Sequence, residues 1–458
     1  MHVLYVHQNF PAQFGHIAKH LAEKLNWMCT FISEAPAGTQ GGIERIQYKL
    51  AGGATKSNHF CSRTFENTVW HTDAVYNTLK RRPDIKPDLI VGHSGFGSTL
   101  FLPELYPDVP VVNLFEYYYI PHDPESDMDF RRDLGWTIEP VKYLRSRCRN
   151  AMILLDLQSC TLGYTPTDFQ RSKFPKEYAP KLRTIFDGVD RAIYHGYEET
   201  LRPSPESRGV RTIAGVEIPA STRVVTYVSR GFESMRGFDI FMKSAKLIAS
   251  QYPDVAFIIV GTDKIAYGGD EQYIGNQKSF KQWVLEQDQY DLGKFHFVGR
   301  LSPPDLGRVL AAGDLHIYLT VPFVLSWSMM DAMSCGAVVL GSATSPVKEM
   351  IRDGENGLLA DFFSPEEIAS KAVRVLQNPT EYRPLGRAAE QMITERYSLE
   401  AVLPAMLQLY DEAVGSRPRQ VAPAPIAQTS VQALIPRLSQ DVISTSRPRQ
   451  MKSSPFRG

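Results

Sequence analysis

The chain has 458 residues, 43% of them hydrophobic, with 50 basic side chains against 50 acidic ones. That length is too great for one core and suits two domains, and zero net charge argues against nucleic acid as a partner. No apolar run reaches the ~18–20 residues that span a bilayer. The opening MHVLYVHQNF lacks the regions of a signal peptide, and the five cysteines have no metal-type spacing, so a cytoplasmic protein with reduced thiols is expected.

Residues 3–7 read as a buried strand. A turn follows at Gln8 to Pro11, then a helix over 13–25 with apolar residues Phe14, Ile17, Leu21 and Leu25, then a strand over 29–33. This is a βαβ start without GxGxxG. Residues 35–58 are polar and glycine-rich and are expected to form a mobile segment. A helix is expected over 67–79. Strands follow at 88–93, ending in His93, and at 110–115, followed by Glu116 and three tyrosines. Polar residues just past strand ends face the ligand crevice of an α/β sheet. The charged stretch 127–136 is expected to be solvated. A helix over 142–159, a strand beginning at Leu162 and a short strand over 182–186 lead to the turn Asp187-Gly188-Val189-Asp190.

Residues 191–218 form a linker rich in proline, glycine and charge. A second α/β unit opens at 223–229, with a loop at 230–236 and a helix over 237–251, and repeats through strands at 257–261, 296–299, 315–320, 338–342 and 357–360. Ser328 to Cys335 reads as a helix that Gly336 stops. A strand, a tight turn and a helix N-terminus at the carboxyl edge of a parallel sheet make an anion site. The small hydroxyl residues Ser326 and Ser328 let a ligand approach, so a phosphate-bearing ligand is expected there. Helices are expected at 366–377, 384–397 and 399–414. The division expected is 1–190, a linker 191–218, 219–385, helices 386–414 that return to the first domain, and a tail 415–458. Six prolines and seven Arg or Lys against one Asp over 417–458 give the tail +6. It reads as disordered, with contact to an anionic membrane face as the alternative.

Four ordered motifs resemble glycosyltransferase family 4, of GT-B architecture. The family's Glu-Gly-Phe-Gly-Leu, three residues, then Glu-Ala-Met-Ala-Cys-Gly stands here as Phe323-Val324-Leu325-Ser326-Trp327, three residues, then Asp331-Ala332-Met333-Ser334-Cys335-Gly336. Its Gly-Arg-…-Lys-Gly loop stands as Ser229-Arg230-…-Arg236-Gly237. Its Asn-Gly-Val-Asp turn stands as Asp187-Gly188-Val189-Asp190, and its Asp-Gly-x-Asn-Gly-Leu-Leu segment as Asp353 to Leu359. The resemblance spans roughly residues 1–414.

It implies two Rossmann-like parallel-sheet domains facing a cleft, and retaining transfer from a nucleoside-diphosphate sugar to a hydroxyl acceptor such as a glycan or lipid-linked glycan. It implies no metal and no cofactor beyond that donor. Arg230 and Arg236 would clamp the diphosphate, whose charge grows as it leaves. Backbone near Leu325, Ser326 and Trp327 would bind the same phosphates, Val298 and Gly299 the base, and Asp331 the ribose. Phe323 takes the place of the glutamate that touches the donor sugar, which admits a non-catalytic binder as the alternative. A sugar-nucleotide epimerase of the same architecture is a further one. Either His93 or Glu116 would orient the acceptor hydroxyl, with Asn9, Gln13 and His16 at the turn where acceptors approach. Each has a plainer reading: a satisfied strand-end histidine, a tyrosine partner, surface arginines, a solvated carboxylate, helix caps. For Glu349, just after Ser345-Pro346, a cap at the start of its helix is expected.

Overall fold

The computed structural model describes residues 1–196, 209–275 and 278–416. The tail expected to be disordered lies outside them, apart from its first two residues. The first lobe is built on an eight-stranded sheet: β1 (His2–Val6), β2 (Met28–Ser33), β3 (Gly38–Gln40), β4 (Ile43–Gln47), β5 (Leu89–His93), β6 (Val111–Leu114), β7 (Leu162–Thr165) and β8 (Leu182–Thr184). Their order is β3-β4-β2-β1-β5-β6-β7-β8. All pairs are parallel except β3 with β4. Val3, Leu4, Tyr5 and Val6 are all buried, as a parallel strand covered on both faces requires. The chain leaves β1 for β2 on one side and returns to β5 on the other, so the crevice opens between the carboxyl ends of β1 and β5. Residues 35–58, expected to be mobile, supply β3 and β4. Their pattern is polar because β3 is an exposed edge and only Ile43 and Ile46 of β4 are buried.

A small antiparallel hairpin follows, β9 (Val210–Ile213) with β10 (Val216–Pro219), inside the stretch read as linker. The second lobe carries β11 (Arg223–Val228), β12 (Val255–Val260), β13 (Phe295–Gly299), β14 (Leu315–Tyr318), β15 (Val339–Ser342) and β16 (Leu358–Ala360). They form a parallel sheet ordered β13-β12-β11-β14-β15-β16. Its switch point lies between β11 and β14, whose ends deliver Arg230 and Thr320 to one edge. The last helix, Leu399–Gly415, packs on the first lobe against β5 and β6. Met406 and Tyr410 are buried there, in one apolar cluster with Tyr5 and Leu114. No helix among the described residues is long and apolar enough to cross a membrane.

The stretch 127–136 is solvated only in part, at Arg132, Asp133 and Gly135. It forms a short helix, Asp127–Phe130, and a 3-10 turn, Arg132–Leu134, and lies as a strap on the second lobe. Arg131 donates to Asp239 at 3.0 and 2.7 Å and to the Ser234 carbonyl at 2.5 Å. Trp136 stacks on Tyr273 with centroids 4.5 Å apart, and Phe130 meets Phe362 and Phe363. Its charges are those of a buried pair whose partner lies 108 residues away in the chain. Glu349 also differs from expectation. It stands at the end of its helix, Ser345–Lys348, and its carboxylate accepts the N–H groups of Asp168 and Phe169 in the first lobe, each at 2.8 Å. It caps the helix Asp168–Ser172 rather than its own.

Candidate active site

Four side chains converge at the carboxyl edge of the first sheet. His93 ends β5 fully buried, and its Nδ1 meets the Ser94 carbonyl at 3.0 Å. Its Nε2 lies 3.4 Å from Glu116 Oε2, just past β6, and Gln13 Nε2 donates to Glu116 Oε1 at 2.8 Å. Burial opposes the charge on both members of this pair. Their attraction and the hydrogen bonds outweigh it, so the imidazole is raised and the carboxyl lowered. Glu116 keeps 22% of its side chain exposed, so the carboxylate opens to the cleft while the histidine behind it does not. His7, the residue after β1, stands edge-on to His93 at 5.2 Å. Its Nδ1 faces the Asn9 backbone, 2.8 Å from the N–H and 3.1 Å from the carbonyl oxygen, and its Nε2 is a buried atom with no partner among the described residues. Burial and the neighbouring His93 push His7 down to about 3, so it is neutral. Gly97 lets the loop after β5 close on this edge: a Cβ there would stand 2.1 Å from the Val6 carbonyl oxygen.

The second lobe presents cations and a helix end. The turn Ser234–Arg236 is followed by Gly237 at φ +60, where a Cβ would meet Leu319 Cβ at 2.8 Å, so glycine alone fits. This turn tucks Arg236 inward, 6% exposed. Its guanidinium donates to Thr320 Oγ1 at 2.7 Å and to the Val324 carbonyl at 3.2 Å. Arg230 is exposed. Its Cζ lies 6.0 Å from the Tyr267 ring centroid and that of Arg236 lies 5.2 Å away, so one ring faces both cations. Buried Glu233 fixes that ring's loop by accepting the N–H groups of Ala266, Tyr267 and Gly268 at 3.1, 2.8 and 2.9 Å.

Ser326 caps the helix Trp327–Ser334. Its Oγ accepts the Ser328 N–H at 3.3 Å, and its own N–H donates to the Tyr318 hydroxyl at 2.9 Å. Asp331 lies one turn in. No hydrogen bond among the described residues reaches its carboxyl, and burial pushes it well above the ordinary carboxylate value. Leu325 is buried under the turn. Val298 and Gly299 end β13, with open space where a Gly299 side chain would be. Among the described residues no group of three or more His, Cys, Asp or Glu is placed to hold a metal ion.

Several contacts join these halves. Trp327 Nε1 donates to Asp187 Oδ2 at 2.9 Å, and within the first lobe His16 meets the Asp187 carbonyl at 2.6 Å. Asp187 is buried, Oδ1 has no partner among the described residues, and burial pushes the carboxyl up to about 7. Phe323, 7% exposed, packs edge-on against Tyr117 of the first lobe at 4.6 Å and against Tyr267 at 5.7 Å. The Tyr117 hydroxyl donates to the Pro322 carbonyl at 3.3 Å. An aromatic contact between lobes thus occupies the position where the resemblance put a sugar-binding carboxylate.

His93, Glu116 and Gln13 meet in one cluster, with Asp187 bringing in Trp327 and His16. Arg230, Arg236, Ser326 and Asp331 lie around the second sheet's edge. Asn9 contributes only its backbone here. Sequence reasoning missed His7, Asp187, Tyr117 and Tyr267. His7 carried a signal, being the polar residue just past β1, and Asp187 another, as the first residue of the turn after β8. Nothing in the local sequence of Tyr267 marks it, since its role comes from Glu233 more than thirty residues away.

Residues 25–193 match the family described as Glycosyl transferase family 4 group, and residues 212–392 match Glycosyl transferases group 1. Among curated relatives, spore coat protein SA of Bacillus subtilis (strain 168) is 21% identical over 58% of this chain and 66% of its own length. N-acetyl-alpha-D-glucosaminyl L-malate synthase of Bacillus anthracis is 20% identical over 50% of this chain and 53% of its own. The matches thus span about half to two thirds of these relatives. Among solved structures, sucrose-phosphate synthase from Thermosynechococcus elongatus superposes with TM-score 0.67 at 16% identity, covering 90% of this chain and 98% of that one. Anabaena Alr3699/HepE in complex with UDP and glucose gives 0.61 at 16% identity, covering 90% and 100%. With both lobes matched in sequence and the two-sheet architecture matched in space, the chain belongs to the family 4 type of GT-B glycosyltransferases.

Proposed function

We propose that the protein moves a sugar from a nucleoside-diphosphate sugar to a hydroxyl acceptor with retention of configuration. The observation that carries this reading is the placement of Arg230, Arg236 and the Ser326-capped helix end on one edge, joined through Trp327 and Asp187 to the edge that bears Glu116. Two cations and a helix N-terminus suit a diphosphate whose negative charge grows as the bond to the anomeric carbon breaks. Asp331, buried and without a hydrogen-bond partner among the described residues, suits a pair of ribose hydroxyls, and the open space at Gly299 suits the base. Glu116, held by Gln13 and His93, accepts a hydrogen bond from the acceptor hydroxyl and orients it. In retaining transfer that oxygen bonds to the anomeric carbon on the face the diphosphate leaves, and the departing phosphate oxygen takes the hydroxyl proton. The UDP and glucose bound to the Anabaena protein are of the ligand class that this reading assigns.

A second reading, a sugar-nucleotide binder without turnover, is favoured by Phe323, whose ring is packed between Tyr117 and Tyr267. Thermal shift of the full chain with UDP-, GDP-, ADP- and CMP-sugars, each beside its free nucleotide, tests the donor site. A shift that depends on base and sugar, followed by formation of a glycoside, supports the transferase. A shift without any glycoside formed supports the binder. No shift at millimolar ligand removes both.

A further inference from the structure

The helix Pro140–Ser159 and the N-terminal end of the helix Arg63–Lys80 gather four cations on the first lobe. Arg145 Cζ lies 4.4 Å, Lys142 Nζ 5.2 Å and Arg63 Cζ 5.9 Å from the ring centroid of Phe60. Arg149, one turn beyond Arg145, stands 3.9 Å over the ring of Tyr119. All four side chains are half-buried. Among the described residues none of them forms an ion pair with a carboxylate within 4 Å. Arg63 uses two of its nitrogens, Nε and Nη2, on the Asn58 and Lys56 carbonyls, and Arg145 reaches the Thr64 hydroxyl at 3.4 Å. Arg149 acts on one acid, the buried Asp127, whose carboxyl burial raises and whose rise the Arg149 charge only partly offsets. Arg145 is lowered by its burial and then by Arg149 and Arg63, which is the sign of cations crowded without an anion between them.

The cluster is continuous with the cleft. Asn150 exchanges two hydrogen bonds with the Tyr119 backbone, at 2.9 and 2.7 Å. Tyr119 meets Tyr117 at 5.3 Å, and Tyr117 is next in sequence to Glu116 and packs on Phe323. Half-buried cations that form no ion pair cost stability through mutual repulsion, and an anionic ligand removes that cost. Three of the four are arginines, whose planar fork fits phosphate oxygens. Four positive charges exceed what a single carboxylate balances and match a phosphate or diphosphate.

We infer that the acceptor carries a phosphate or diphosphate group, seated on Arg63, Lys142, Arg145 and Arg149 around Phe60 at the rim of the cleft. This rests on the transferase reading above and names its acceptor class. Such an anion comes either from a phosphorylated soluble sugar or from the headgroup of a lipid diphosphate.

The test measures binding to the full chain of glucose 6-phosphate and of geranyl diphosphate, beside the neutral probes glucose and geraniol. It is repeated with Arg145→Gln/Arg149→Gln and with Arg236→Ala, whose residue lies in the other lobe. The expected result is that at least one phosphorylated probe binds tenfold or more tightly than its neutral counterpart. That preference falls at least tenfold in the double variant, weakens with salt and persists in Arg236→Ala. Preference for the sugar phosphate marks a soluble acceptor, and preference for the prenyl diphosphate a lipid one. Equal binding by wild type and double variant, or no gain from the phosphate, overturns the inference. So does a cluster that binds only phosphatidylglycerol vesicles, which would make it a membrane-surface contact. Nucleotide binding is followed on the same samples. Its loss in wild type would count against the transferase reading, whereas intact nucleotide binding with no phosphate preference would count against the acceptor class alone.

Discussion

Trp327 and Asp187 meet across the cleft at 2.9 Å, indole N–H to carboxylate oxygen. Trp327 opens the helix whose N-terminal end is assigned to the donor phosphates, and Asp187 follows the last strand of the first lobe. Their hydrogen bond therefore reports whether the two edges of the site are brought together. The Asp187 carboxyl is pushed up to about 7 by burial, so this contact passes from a neutral acid to a carboxylate near neutral pH.

That shift has a sign. The folded value lies above the ordinary 3.8, so between the two the native state holds a proton that the unfolded chain has released. The contribution to stability is whole below pH about 4, declines as pH rises and is gone above about 7. Asp187→Asn keeps an acceptor for Trp327 without the charge. Its melting temperature is expected to match wild type near pH 5 and to exceed it at pH 8 by the equivalent of about 1–3 kcal/mol. A gap that stays constant across a pH series would show that the carboxyl does not titrate there.

Arg236→Ala should weaken nucleotide binding by roughly 10- to 100-fold, the cost of about 1.5–3 kcal/mol for a charge-assisted hydrogen bond. His93→Ala should change nucleotide binding little, because His93 faces Glu116 in the other lobe. Calorimetric titration of both variants with the same nucleotide decides the matter. Equal, small losses in the two would remove the donor site from this edge.

Phe323→Ala removes a ring that touches Tyr117 and Tyr267 and is expected to cost about 3–5 kcal/mol. Phe323→Glu, the family-like residue, should also destabilise, because it would place a carboxylate between the Tyr117 and Tyr267 rings in a buried position. Urea unfolding of the two variants tests this. Wild-type stability of Phe323→Glu would mean that the position is open to solvent and to a donor sugar.

Arg131→Met strands Asp239 in a buried position and should cost about 3–5 kcal/mol. The double variant Arg131→Met/Asp239→Leu should recover much of that loss, since a buried pair replaced by apolar groups is often near neutral. Hydrogen exchange over residues 127–136 gives a second readout: protection lost in the single variant and regained in the double. Unchanged stability in Arg131→Met would place the strap in solvent after all.

Glu349→Ala leaves the N–H groups of Asp168 and Phe169 without their acceptor and is expected to cost about 1–2 kcal/mol. Glu349→Gln, which retains an acceptor oxygen, should lose less. Thermal melts of the two variants side by side check the order.

The two parallel sheets were legible because their strands are short runs of β-branched and aromatic residues that bury on both faces, as Val3 to Val6 and Val255 to Val260 do. The edge hairpin of β3 and β4 was not, because Gly38, Thr39 and Gln40 are all exposed and carry no apolar alternation. The motifs placed Arg230, Arg236, Ser326 and Asp331 around one edge. They did not show that Glu349 serves a helix in the other lobe, or that Phe323 faces a tyrosine from the first sheet. Arg131 looked like a solvated charge because Asp239, which neutralises it, lies far along the chain. Glu349, Phe323 and Arg131 were hidden for one reason: each meets its partner in the other lobe.

The strap has a mechanical consequence. It leaves the first lobe after Tyr119, is fastened to the second by Arg131 and Trp136, and rejoins the first lobe as the helix Pro140–Ser159. Any swing of the donor lobe therefore tugs directly on the helix that carries Lys142, Arg145 and Arg149. Opening and closing would be felt at the cation cluster as tension in a short tether, so the rim proposed for the acceptor would move in step with the lobe proposed for the donor.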